Sequence, residues 1–159
     1  MARGMKFVAD CLLDACVGVQ WDLIVLPGGM PGAERLASTA ELITLLKAQR
    51  AAGRLVAAMC ASPAVVLAPH GLAAGLAVTA HPAFVDRVTP LASKGDSTQG
   101  RVVVDGNLVT SRGPGTVRSH DAARAGTPPS QPFLAVARCA VPSMGKLGRK
   151  AESPGERHG

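Results

Sequence analysis

Short apolar runs punctuate this chain, and each ends at glycine, proline or a small polar residue. Asp22-Leu23-Ile24-Val25-Leu26 is almost continuously apolar, the pattern of a strand buried on both faces of a parallel sheet. Pro27-Gly28-Gly29-Met30-Pro31-Gly32 stops it abruptly. Leu55-Val56-Ala57-Ala58-Met59 repeats the pattern and ends in a turn of small residues. Residues 5–8 and 76–80 predict two further strands, the second closed by His81-Pro82. Val102-Val103-Val104-Asp105-Gly106-Asn107-Leu108-Val109-Thr110 predicts a β-hairpin with an Asp-Gly turn, the strongest local signal in the chain.

Helical patterns lie between these runs. Residues 33–36 predict a short helix. A longer one follows through residue 52, with Ser38 or Thr39 as its cap, Leu42, Ile43, Leu45 and Leu46 on its apolar face, and Gly53 at its end. Residues 61–68 predict a buried helix broken by Pro69, His70 and Gly71. Residues 11–20 read as a loop or short helix, and 86–100 as a loop. Strands alternating with helices predict an α/β fold. No good helix follows Gly113-Pro114-Gly115-Thr116. Pro128, Pro129, Pro132 and Pro142 then interrupt a basic tail. The chain thus divides into a domain over 1–116 and a tail over 117–159, expected to be mostly disordered. Only residues 133–141 are apolar enough to dock, as one short helix.

Composition narrows the function. At 159 residues and 47% hydrophobic, the chain can bury one real core. Aromatics are scarce and Tyr is absent, which suits thin, closely packed layers. The charge is uneven: ten Lys/Arg stand against eight Asp/Glu in 1–116, and seven against three in 117–159. A basic surplus in a tail with a single aromatic, Phe133, and no folded basic face does not make a nucleic-acid site. No apolar run is long enough to span a membrane, and no secretory signal is visible. The expectation is a cytoplasmic protein, with organellar targeting left open. Cys11, Cys16, Cys60 and Cys139 are scattered, with no CxxC and no neighbouring His. They are expected to be reduced thiols, with no metal and no cofactor.

The candidate chemistry lies at Cys60. A strand turning sharply into a helix puts the turn residue at the carboxyl edge of the sheet, where open α/β folds bind ligands. A thiol at such a turn lies near the positive end of the next helix, which favours a thiolate. The small flanks Ala58, Ala61 and Ser62 resemble those of a nucleophile elbow. On spacing alone two readings stand: a reactive thiol, or a small buried hydrophobe. The Gly28-Gly29 pair likewise reads either as an ordinary turn or as a set of N–H groups aimed at a ligand.

Five stretches, WDLIVLPGGMPGAERL, LVAAMCASPAVVLA, VTAHP, VVVDGNLVTSRGPGT and, more weakly, RGMKFVAD ahead of them, resemble in residues, order and spacing the DJ-1/PfpI family of the class I glutamine-amidotransferase-like superfamily. The resemblance covers about residues 3–116. It implies a flavodoxin-like three-layer sandwich with a mostly parallel sheet, here incomplete at both ends. By the same resemblance, Cys60 matches the reactive cysteine and His81 a histidine near it. Gly28, Gly29 and Ala61 match the N–H donors of an oxyanion-type pocket, and Arg3 matches an arginine lining an anion site. Arg112, Gly113 and Pro114 match residues near that site or the dimer surface.

Two departures accompany the match. The family's opening strand, helix and second strand precede the point matched by Arg3. That helix carries a protonated Glu that bonds the cysteine, and it contributes to the family's homodimer interface. The homodimer is therefore in question here, and activity is expected to be weak or absent. After residue 116 the sequence leaves the family pattern. The expected function is cofactor-free glyoxalase- or deglycase-type chemistry on small reactive aldehydes or glycated substrates through Cys60, with His81 as the base nearest by sequence position and His70, at a helix end away from the strand tips, the lesser alternative. His81 also reads as a structural residue before Pro82. The alternatives are a non-catalytic redox sensor or chaperone-like binding protein with Cys60 as its oxidisable thiol, or a partial chain with no stable fold.

Overall fold

The computed structural model describes residues 8–90, 100–116 and 133–135. Five strands form one sheet in the order β3-β4-β2-β1-β5. They are β1 (Leu23–Leu26), β2 (Leu55–Met59), β3 (Val102–Asp105), β4 (Leu108–Ser111) and β5 (Phe133–Ala135). All neighbours pair in parallel except the β3–β4 hairpin. The α/β, mostly parallel sheet matches the sequence expectation.

The strand side chains show why the central runs are apolar throughout. Along β1, Ile24 and Leu26 join the main core, while Leu23 and Val25 belong to a second cluster with Ala57 and Val109. Successive side chains face opposite sides, so both faces of β1 need apolar residues. Leu23, Ile24 and Leu26 are essentially fully buried. Each such side chain contributes about 1.5–3 kcal/mol on leaving water.

Two helices cover one face. The short α1 (Gly32–Ala37) follows the glycine turn, and α2 (Ala40–Ala51) returns the chain to β2. Leu42, Ile43 and Leu46 bury as expected, and Gln49 joins them at 2% exposure. The Gln49 amide donates to the carbonyls of Trp21 (2.7 Å) and Leu55 (3.1 Å). It thus satisfies backbone at the starts of both β1 and β2. Thr39 occupies the N-cap position, but its hydroxyl donates back to the Arg35 carbonyl at 2.7 Å. The helix ends with Gly53 N–H on Arg50 and Arg54 N–H on Gln49, a Schellman closure that needs the left-handed glycine.

Several expectations change. Residues 76–80 form no strand. β4 is already flanked by β3 and β2, so it offers no free ladder edge. Hairpin side chains take these N–H groups instead: Ala77 donates to the Asp105 carboxylate (2.7 Å) and Thr79 to the Thr110 hydroxyl (3.0 Å). The hairpin itself forms, but its two-residue turn is Gly106-Asn107, since Asp105 still pairs with Leu108. Asn107 accepts from Arg50 at 2.7 Å and donates to the Arg54 carbonyl at 2.9 Å, tying the hairpin to the end of α2. Burial pushes the Arg50 guanidinium below its usual range, against the pull of Asp105.

The expected helix over 61–68 is a π-helical segment, Pro63–Leu67. Its bonds run from Ala68 N–H to Pro63 and from Leu72 N–H to Leu67. Residues 11–20 contain a single 3₁₀ turn, Leu13–Cys16, and a second 3₁₀ segment, Pro82–Arg87, runs into the first two residues of the loop expected over 86–100. The expected first strand over 5–8 lies outside the described residues except for Val8, which is exposed and unpaired in the sheet. In the tail, residues 133–135 form a strand beside β1 where a helix was expected, and the rest of 117–159 lies outside the described residues. Among the described residues no helix is long and apolar enough to cross a membrane.

Candidate active site at the Cys60 elbow

Cys60 follows the last residue of β2 and adopts φ +60°, the only non-glycine residue with positive φ among those described. That left-handed conformation is strained for a side chain with a Cβ, by about 1–3 kcal/mol. The surrounding structure holds it there. Cys60 N–H donates to the Ser111 carbonyl (2.9 Å), and the Cys60 carbonyl accepts from His81 N–H (2.8 Å). The next residues fold into Pro63–Leu67, with Ala64 and Val65 N–H both on the Ala61 carbonyl. The buried Ser62 hydroxyl donates to the Pro27 carbonyl, anchoring the turn to the end of β1. A serine bonded in this way is not an available nucleophile.

Gly28 lies against the thiol. A Cβ built on it would collide with the Cys60 Cβ, stand 2.9 Å from the Met59 carbonyl oxygen and lie 3.1 Å from the Cys60 sulfur. Only glycine fits there. Gly29 continues the turn at φ +92°, and its carbonyl accepts from Ala33 N–H at the start of α1. The N–H groups of Gly28, Gly29 and Ala61 take no hydrogen bond among the described residues. Donors left open at a sheet edge can meet an anionic oxygen.

His81 reaches the same point by a different route from the one its type suggests. Its backbone meets Cys60, while its ring caps the 3₁₀ segment: Nδ1 accepts from Ala83 N–H at 3.1 Å. An accepting Nδ1 leaves Nε2 as the protonated nitrogen of the neutral ring. The ring sits edge-on to Phe84, with centroids 6.1 Å apart, and a Cβ on Gly113 would lie 3.8 Å from it. The Cys60 thiol and the His81 ring share no hydrogen bond among the described residues. Of the Arg112-Gly113-Pro114 stretch, Gly113 therefore borders His81, and Gly113 and Thr116 close on each other through the Thr116 hydroxyl. Arg3 lies outside the described residues.

Sequence reading missed the supporting residues. Ser62, Pro27 and Ser111 hold the elbow through carbonyls and one hydroxyl, and such bonds leave no periodic trace in a sequence. The Ser111 hydroxyl itself is buried with no hydrogen-bond partner among the described residues. A groove of about 400 Å³ lined by Ala64, Val65, Ala68, Pro69 and Arg87 does not include the thiol.

A sequence model of the DJ-1/PfpI family matches residues 1–121. The chain belongs to the DJ-1/PfpI family. Among DJ-1 relatives, Protein DJ-1 homolog B of Arabidopsis thaliana is 49% identical over 115 residues, covering 72% of this chain and 25% of that protein. The Glutathione-independent glyoxalase DJR-1.2 of Caenorhabditis elegans is 38% identical over 115 residues, 72% of this chain and 59% of that protein. The solved structure of oxidized Toxoplasma gondii DJ-1 superposes with a TM-score of 0.71 at 42% identity, over 78% of this chain and 65% of that one. The chain thus spans between a quarter and two thirds of the DJ-1 proteins it resembles here. The flavodoxin-like layering expected from the sequence is the fold of these DJ-1/PfpI neighbours.

Proposed function

We propose that this chain carries the reactive-cysteine centre of a DJ-1-type protein, acting on small reactive aldehydes through Cys60. One observation carries the reading: a cysteine held at φ +60° at a strand end, with Gly28 so close that no side chain fits between them. Strain of this kind persists where surrounding structure enforces it and concentrates at functional sites. The relative named as a glutathione-independent glyoxalase supports the aldehyde as substrate class.

In this reading the Cys60 thiolate adds to the aldehyde carbon of a 2-oxoaldehyde, giving a hemithioacetal. Gly28, Gly29 and Ala61 N–H groups face the oxygen that gains charge, each such donor being worth about 3 kcal/mol in other enzymes. A proton then moves from the former aldehyde carbon to the adjacent carbonyl carbon, and the product is a thioester. Water hydrolyses it, releasing a 2-hydroxy acid and the thiol. His81 is the candidate relay for that proton in this reading: Nε2 takes it up in the tautomer whose own proton has moved to Nδ1, with the Ala83 N–H bond given up. A glycated amine in its carbinolamine form would give the same hemithioacetal as a deglycase substrate, the Cys60 sulfur forming the C–S bond as the C–N bond breaks and the amine leaves with a proton.

The second reading is a redox sensor in which Cys60 oxidises without turnover. It is favoured by the half-exposed thiol and by the relative whose structure was solved oxidized. One experiment separates them. Purified chain is incubated with methylglyoxal, and 2-hydroxy acid is quantified for the parent and for Cys60→Ser. Product formed by the parent and lost in the variant supports the enzyme. No product, with selective peroxide oxidation of Cys60, supports the sensor.

A further inference from the structure

Two other cysteines come together at the opposite end of β1. Cys11 precedes the 3₁₀ turn Leu13–Cys16 and Cys16 ends it, and that turn brings their sulfurs to 3.6 Å, van der Waals contact. Their environments differ. Cys11 is exposed, whereas Cys16 is 3% exposed. The Cys16 carbonyl accepts from the indole N–H of Trp21 at 3.2 Å, and the Trp21 carbonyl accepts from Gln49. The pair is therefore fastened to α2 and to the start of β1, where the chain's single tryptophan sits. No third His, Cys, Asp or Glu converges on it among the described residues, so the geometry suits sulfur–sulfur chemistry better than metal binding.

We propose that Cys11 and Cys16 form a second redox site, separate from Cys60, that closes to an intramolecular disulfide under peroxide. Cys11 is the attacking thiol because solvent reaches it. Its thiolate displaces hydroxide from hydrogen peroxide, giving Cys11 sulfenic acid and, with a proton, water. The Cys16 sulfur then attacks the Cys11 sulfur, the S–O bond breaks, and the second water leaves with the Cys16 proton. Two thiols lose two electrons and two protons, and one peroxide becomes two waters. The sulfurs must close from contact to bonding distance, about 2.05 Å. A loop this short at the exposed edge of the domain can make that adjustment. The site stands whether or not Cys60 turns over substrate.

The test uses the full chain with Cys60→Ser, so that the elbow cannot contribute. The native protein is exposed to a peroxide dose that converts free cysteine in the same buffer to cystine, then alkylated with iodoacetamide and digested with trypsin. Both sulfurs fall in one tryptic peptide, residues 7–35. The expected result is the loss of both alkylation sites together, a peptide lighter by two hydrogens, and full reversal by dithiothreitol. Trp21 emission should shift with the same time course. In Cys16→Ser, Cys11 should instead carry a sulfenic acid trapped by dimedone. The proposal is overturned if both cysteines stay alkylatable at that dose. It is equally overturned if the disulfide joins two chains or involves Cys139, or if Cys11–Cys16 pairing is no more selective in native buffer than in urea.

Discussion

His81 touches Cys60 through its backbone: the His81 N–H donates to the Cys60 carbonyl at 2.8 Å, while the ring accepts from Ala83 N–H. The histidine therefore has two separable roles. His81→Ala keeps the backbone bond and loses the ring. Iodoacetamide should alkylate Cys60 in this variant at the parent rate, and urea titration should show a stability loss of about 1 kcal/mol from the missing Ala83 acceptor and Phe84 contact. If Nε2 relays the proton in aldehyde turnover, that turnover should fall by about 10²–10⁴ in the same variant.

Gly28 and Gly32 predict opposite signs for the same substitution. Gly28→Ala drives a methyl group into the Cys60 Cβ and the Met59 carbonyl. A loss of about 1–3 kcal/mol is expected from overpacking, together with slower alkylation of Cys60. Gly32 opens α1, and a Cβ there meets nothing within 4 Å. Gly32→Ala should be neutral or stabilise by up to about 1 kcal/mol, since Ala is the better helix former. Denaturant midpoints of the two variants, measured side by side, check the pair. Equal effects would mean that Gly28 is not wedged against the thiol.

Cys60→Gly tests the strained backbone. Glycine populates left-handed φ readily, so Cys60→Gly should be more stable than Cys60→Ala by about 1 kcal/mol. Ordinarily a Gly-for-Ala exchange runs the other way. Thermal unfolding of the two variants decides it.

Gln49 predicts a buried polar loss. Gln49→Leu keeps the bulk but strands the Trp21 and Leu55 carbonyls. Destabilisation of about 1–3 kcal/mol is expected, read by urea titration. Trp21 emission should report the same transition.

What could be read from the sequence was whatever repeats locally. The runs at Leu23–Leu26 and Leu55–Met59, the glycine turn after the first, the Leu42/Ile43/Leu46 face and the hairpin around Gly106 all follow from spacing and turn chemistry. What could not be read depends on partners distant along the chain. Residues 76–80 have strand composition, yet Asp105 and Thr110 side chains claim their N–H groups. Gln49 looks like a solvent-facing helix residue until the Trp21 and Leu55 carbonyls are seen to need a donor. Phe133–Ala135 is too short to show a strand period and becomes one by adding to β1. At the site, Cys60 and Gly28 were legible from their turns, but the turn of His81's ring toward Ala83 was not. Cys11 and Cys16 look scattered in sequence, and only the 3₁₀ turn Leu13–Cys16 brings the sulfurs together.

The bonds around Cys60 also say when the site can exist. Gly28 comes from the end of β1, Ser62 bonds back to Pro27, Ser111 ends β4, and His81 lies in the crossover between β2 and the hairpin. All of these contacts come together only in a stretch that runs from Pro27 to Ser111. The elbow is therefore complete only once β1, β2, β4 and the crossover are all in place, since each supplies one of its contacts. The chemical behaviour of a single thiol then serves as a gauge of the whole sheet, and damage to any of these strands should register at Cys60.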